Sequence, residues 1–173
     1  KGLILGKPAI QRMLLRHKTK TTMIAQFFGT EPEYFYKAAL VAMDKGFNGI
    51  DINMGCPDKS VFNRGGGAGL ILQPKLAKKI ILLVKKAVQN RIPVSVKTRI
   101  GLNRPDLDGW IRMILETKIA TLIVHGRTMA EMSKVPAHWD LIGEVAKMAH
   151  EVGTLTVGNG DVMSLSEGRE KAE

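Results

Sequence analysis

Four apolar stretches of the chain end in polar side chains spaced two residues apart. Gln26 follows Ile24, Asn53 follows Asp51, Lys97 and Arg99 follow Ser95, and His125 follows Ile123. Side chains two apart on a strand share a face. If these stretches are neighbouring strands, two amides, two cations and an imidazole converge at one carboxyl edge. Ligands bind at that edge in barrels and in open α/β sheets alike. The alternative is an internal ion-pair layer in which Asp51 neutralises Lys97 or Arg99.

The loops after these stretches add further groups. Gly55-Cys56-Pro57 directly follows the Asn53 strand end and places a thiol at the mouth. A lone cysteine also serves as a small buried hydrophobe, but Gly and Pro on either side fix a tight turn there. Residues 65–69, Gly-Gly-Gly-Ala-Gly, let the backbone approach something closely, and a tightly packed or flexible turn explains them equally well. Gly126-Arg127-Thr128 and Gly158-Asn159-Gly160-Asp161 repeat the pattern of glycine-flanked turns that present N–H groups to an anion. Ordinary turn chemistry is the other reading of the Asn-Gly pair. No metal site is expected: His17, His125, His138 and His150 show neither an H-E-x-x-H pattern nor a cysteine at ligand spacing. Neither a G-x-S-x-G elbow nor a Gly-Lys-Ser/Thr phosphate loop occurs, which removes support for hydrolase and NTPase classes.

Elements that position these groups alternate between β and α. Strands are expected at 22–28, 48–53, 92–99, 119–125 and 153–157, each short and rich in Val, Ile, Leu or Phe. A helix with Phe35, Ala38, Ala39 and Ala42 on its apolar side opens at a capping box, Thr30-Glu31-Pro32-Glu33, and stops at Gly46. A second carries Leu76, Ile80, Leu83, Val84, Ala87 and Val88 on one side, with Lys75, Lys78, Lys79, Lys85 and Lys86 forming a solvated outer face. Shorter helices are expected at 108–117 and 137–151, and Ser164-Leu165-Ser166-Glu167 opens a last one. Strand followed by helix, five times over, predicts parallel pairing with right-handed crossovers. An open doubly wound sheet and part of a (β/α)8 barrel both fit. A whole barrel takes about 250 residues, so this chain of 173 holds only part of one.

Composition is that of one globular domain, with 45% hydrophobic and 24% charged residues. The apolar runs are too short to span a bilayer and no cleavable leader is visible, so a cytoplasmic protein without membrane insertion is expected. One cysteine excludes a disulfide framework, a Cys-rich zinc module and a thiolate-held cluster within these residues. A formal charge of +10, from 26 Lys and Arg against 16 Asp and Glu, favours a polyanionic partner such as nucleic acid.

Asp51-Ile52-Asn53-Met54-Gly55-Cys56-Pro57, then Val61 and the glycine run to Leu70, resembles the signature of the tRNA-dihydrouridine synthases. Ala25-Gln26-Phe27-Phe28-Gly29, Val96-Lys97-Thr98-Arg99-Ile100-Gly101, Val124-His125-Gly126-Arg127-Thr128 and Gly158-Asn159-Gly160-Asp161 match that family in order and spacing. The resemblance covers essentially the whole chain. One departure is Lys134-Val135-Pro136-Ala137-His138-Trp139, where the family more often has a glycine before Ala.

The resemblance implies an incomplete FMN-binding (β/α)8 barrel holding about strands 3–7. Strands 1, 2 and 8 and a C-terminal helical RNA-binding domain are expected to be absent from residues 1–173. It implies reduction of a tRNA uridine to 5,6-dihydrouridine, with hydride passing from reduced flavin to C6 and a proton from Cys56 to C5. A free thiol, with an ordinary pKa of about 8.5, carries the proton an acid must donate. By the same resemblance Lys97 holds the anion at the pyrimidine edge of reduced flavin, and Gln26 bonds its carbonyl and imide edge. His125 and the Asn159-Gly160-Asp161 turn hold the ribityl-phosphate side, and Asn53 and Arg99 contact the target uracil. NADPH is the implied electron donor and tRNA the partner; oligomeric state is not legible. The rival readings are another FMN barrel reductase acting on a small molecule, as dihydroorotate dehydrogenases do, and a non-catalytic RNA-binding remnant.

Overall fold

The computed structural model describes residues 21–172 together with residues 2–4, 6, 8, 12 and 14. His17, weighed above for metal spacing, lies outside the described residues. Among the described residues five strands alternate with helices: β1 Ile24–Phe27, α1 Pro32–Asp44, β2 Gly49–Met54, α2 Lys59–Phe62, a 3-10 turn Gly67–Leu72, α3 Pro74–Val88 and β3 Val94–Arg99. There follow a π turn Leu107–Ile111, α4 Arg112–Leu115, β4 Thr121–His125, α5 Trp139–Glu151, β5 Leu155–Asn159 and α6 Leu165–Glu170.

All strand pairs are parallel, and the spatial order β1-β2-β3-β4-β5 follows the chain order. A doubly wound sheet reverses its order at a switch point; this one does not. Right-handed crossovers, the rule for parallel units, then put every connecting helix on one side, which is the arrangement of an arc of a (β/α)8 barrel. Burial agrees. Ala25, Ile50, Ile52, Met54, Val94, Val96, Leu122 and Val124 face the helices and share one core with Phe35, Ala39, Ala42, Ile80, Ile81, Val84, Ile114, Ile142 and Val145. The alternate positions, Gln26, Asn53, Lys97, Ile123, Val157 and Asn159, face the concave side and are half-buried or exposed.

Several helix and strand limits differ from the sequence expectation. The capping box does not form: Glu31 is the N-cap, extended and without a side-chain bond, and Pro32 is the first helical residue. Proline pre-sets the helical φ at that position and pushes the residue before it out of the α region, so Thr30 stands one place too early to cap. The fifth strand starts at Leu155 rather than 153. Gly153, at φ +74°, and Thr154, whose N–H reaches the Ala149 carbonyl at 2.9 Å, close α5 first. The segment expected as one helix over 108–117 is a π turn running into a single α turn, capped by the Asp106 carboxylate on Gly109 and Trp110 N–H. On α3, two of the five lysines are not simply solvated. Lys78 bridges Glu116 at 2.9 Å, and Lys85 donates to the Thr117 and Lys118 carbonyls, tying α3 to the end of α4.

Candidate functional site

Parallel register puts the polar strand ends side by side. Gln26 pairs with Asp51, Asn53 with Lys97, Arg99 with His125, and His125 with Asn159. All point to the concave face at the carboxyl edge of the sheet. Asp51 is buried there, and neither Lys97 nor Arg99 neutralises it in direct contact. Its carboxylate accepts from Gln26 Nε2 at 2.7 Å and from Ser95 Oγ at 2.6 Å. Gln26 Oε1 in turn accepts from Asn53 Nδ2 at 3.2 Å, and Asn53 Oδ1 accepts from the N–H groups of Gly55 and Cys56 at 3.2 and 3.0 Å.

Cys56, a half-buried free thiol, sits on the loop held by those last two bonds. The glycine run packs against this loop. Ala68 N–H donates to the Cys56 carbonyl at 3.0 Å, and a Cβ on Gly67, at φ +54°, would lie 2.6 Å from that same oxygen. What the backbone of 65–69 approaches so closely is therefore its own chain. On the other side the loop is braced by Arg99, whose Nε donates to the Gly55 carbonyl at 2.9 Å. Arg99 Nη1 reaches the carbonyls of Thr128 and Met132. Burial and then the neighbouring Arg127 lower the Arg99 pKa, with Cys56 and Glu131 opposing.

Positive charge gathers along β3 and β4. Lys97 donates to Asn159 Oδ1 at 3.3 Å, and its pKa is lowered by burial and then by Arg99, with Asp51 opposing. His125 is pushed down from the ordinary 6.5 to about 4, first by burial and then by Arg99, Lys97 and Arg127, against Asp161. Arg127, two residues on, lies almost wholly buried. It donates to the Val135 carbonyl at 2.6 Å, pairs with Asp161 at 2.5 Å and stands 3.3 Å from His125 Nε2. A guanidinium only donates, so Nε2 accepts and the neutral ring carries its proton on Nδ1. Asp161 also accepts from Ala137 N–H, and these bonds, the Arg127 one foremost, hold its carboxyl below the usual range.

The turns after β4 and β5 use their glycines for packing. Gly126 N–H donates to the Asn159 carbonyl at 3.0 Å, and a Cβ on Gly158 would meet the Trp139 ring at 2.6 Å. Trp139 Nε1 bonds the Gly160 carbonyl at 3.0 Å. The structure thus brings Gln26, Asn53, Cys56, Lys97, Arg99, His125, Asn159, Gly160 and Asp161 to one edge. Sequence reasoning passed over Arg127 and Ser95 as members of that edge. The period-two spacing from His125 to Arg127 and the partner position of Ser95 opposite Asp51 were the available signals. Chemically, the edge offers amide groups, clustered cations and a thiol. That set suits a ligand with carbonyl groups and negative charge.

A model of the dihydrouridine synthase family matches residues 1–173. The protein of Bacillus subtilis (strain 168) named "Probable tRNA-dihydrouridine synthase 2" is 41% identical over 173 residues, covering 97% of this chain and 52% of that protein. One named "Probable tRNA-dihydrouridine synthase" in Staphylococcus aureus (strain COL) is 39% identical over 171 residues, covering 97% and 51%. Another of that name in Staphylococcus epidermidis (strain ATCC 12228 / FDA PCI 1200) is 43% identical over 155 residues, covering 87% and 46%. The chain spans about half the length of these curated relatives. An arc of parallel strands, a polar carboxyl edge with a thiol beside it, and a match along its whole length together place the chain in the dihydrouridine synthase family.

Proposed function

We propose that the protein carrying this chain reduces uridine in tRNA to 5,6-dihydrouridine, with FMN held at the carboxyl edge of β1–β5. The observation that carries this reading is the meeting of Gln26, Lys97 and His125 beside the Cys56 loop in a chain of this family. The donor set fits a flavin. After its bonds to Asp51 and Asn53, Gln26 keeps one N–H and one lone pair, which match the adjacent carbonyl and imide of the isoalloxazine edge. Lys97 lies among like charges and half out of water, a position in which a bound anion relieves the strain on its charged form.

FMN, when bound and reduced, supplies hydride to C6 of the uracil. The chain's own residues do the rest. Lys97 steadies negative charge at the flavin pyrimidine edge. His125 and the Asn159-Gly160-Asp161 turn hold the ribityl-phosphate side, His125 as a neutral Nδ1–H donor. Asn53, whose Oδ1 is already bonded twice, offers the uracil its remaining N–H. Arg99 has only Nη2 left for that contact, its other nitrogens being bonded to backbone carbonyls. Cys56 donates the proton to C5 on the face opposite the hydride. The base leaves its stack to reach this edge, at a cost of a few kcal/mol. NADPH is the proposed reductant and the cytoplasm the proposed location, and further barrel strands with an RNA-binding domain are proposed to complete the working protein.

Mass spectrometry of tRNA nucleosides from cells lacking the gene tests this directly. Loss of dihydrouridine at a defined position is the expected result, and an unchanged level rejects the proposal. Cys56→Ala is expected to retain flavin while losing about 10²–10⁴-fold in turnover, the usual contribution of a general acid. Turnover of free uridine or orotate in place of tRNA would favour the small-molecule reductase reading.

A further inference from the structure

Asp51, Gln26, Asn53 and the Cys56 loop form an unbroken series of hydrogen bonds whose two ends have fixed polarity. At one end the N–H groups of Gly55 and Cys56 can only donate, so Asn53 must turn its oxygen to them. Its nitrogen then faces Gln26, which must answer with oxygen, and the Gln26 nitrogen is left facing Asp51. At that end a carboxylate can only accept. Ser95 Oγ, donating at 2.6 Å, holds the second carboxylate oxygen and keeps the group in place. An amide alone is free to exchange its two ends by a half-turn; here neither can turn without setting two donors or two acceptors face to face.

We infer that Asp51 is a positioning residue: through Gln26 and Asn53 it sets the orientation of both amides and thereby holds the Cys56 loop. This deepens the proposed function by naming what orients the acid. It rests on the acceptor character of residue 51 and not on its charge. Asp51→Asn keeps an oxygen for Gln26 and turns its nitrogen to Ser95, whose hydroxyl then serves the Ile50 carbonyl, 3.4 Å away. Asp51→Leu keeps the bulk and removes the acceptor. Gln26→Glu sets two acceptors against each other, and adding Asp51→Asn supplies a donor to the new carboxylate and restores the series.

The test is the alkylation rate of Cys56 by N-ethylmaleimide in the intact protein at about pH 8, followed by peptide mass spectrometry. Asp51→Asn is expected to react at the wild-type rate, and Asp51→Leu about fivefold faster, as loss of one net hydrogen bond implies. Gln26→Glu is expected to react faster, and Gln26→Glu with Asp51→Asn to return to wild type. Equal rates for Asp51→Asn and Asp51→Leu overturn the inference, because charge or packing alone then explains residue 51. If Asp51→Leu does not fold, the Gln26 pair decides: a double variant no slower than Gln26→Glu overturns it as well. The readout is the thiol, so this result stands apart from whether FMN and tRNA are the ligands; failure of that reading appears as failure to bind FMN.

Discussion

At His125, burial and three cations act in one direction, and Asp161 alone opposes them. The ring therefore takes up its proton near 6.5 in the unfolded chain and only at about 4 in the folded one. Between those values the unfolded state binds the extra proton, so stability falls as pH drops from 6.5 toward 4. His125→Asn removes this component, and its urea midpoint is expected to fall less than that of wild type between about pH 7 and about pH 4.5. The electrostatic causes separate by NMR titration of the ring. Lys97→Met is expected to raise the His125 pKa and Asp161→Asn to lower it further; no movement in either would show that burial acts alone. The presence of His125 at a strand end is plain from its place after Ile123. Its neutrality is not, because Arg99 and Lys97 come from the adjacent strand and Asp161 from beyond the next helix.

The Cys56 loop and the glycine turn show the same division among elements. Spacing marks the thiol and the glycines but not that they touch. Gly67→Ala puts a methyl group against the Cys56 carbonyl oxygen at 2.6 Å, in a backbone conformation that side chains rarely adopt. A loss of about 2 kcal/mol in urea unfolding is expected, together with altered Cys56 alkylation. Wild-type values for both would show that the turn is free to move. Helix limits were less legible than helix faces. Phe35, Ala38, Ala39 and Ala42 are the buried residues of α1, as their period demands. The start of α1 followed Pro32 rather than a capping side chain, and the start of β5 waited on closure of α5 through Gly153. Local competition of this kind, one or two residues wide, leaves little trace in periodicity.

Across the whole molecule, the surplus of ten positive charges is expected to serve phosphate contacts with tRNA. For the intact protein the log of affinity should then fall linearly with the log of salt concentration, with a slope well below zero. A flat response would assign the charge another role. Among the described residues no helix is long and apolar enough to cross a membrane. Strand and helix alternation left both an open sheet and a barrel arc in play, and the chain-ordered parallel sheet decided for the arc. By itself, the sequence determined most of the groups at the carboxyl edge, Arg127 and Ser95 excepted, since period two assigns faces and each motif lies at its own strand end. Tertiary structure alone decided how those groups are oriented and charged. Gly55 and Cys56 turn Asn53 locally, but the partners that turn Gln26, bury Arg127 and add Arg99 and Lys97 beside His125 lie on other strands and loops, and desolvation is a property of the packed edge rather than of any one segment.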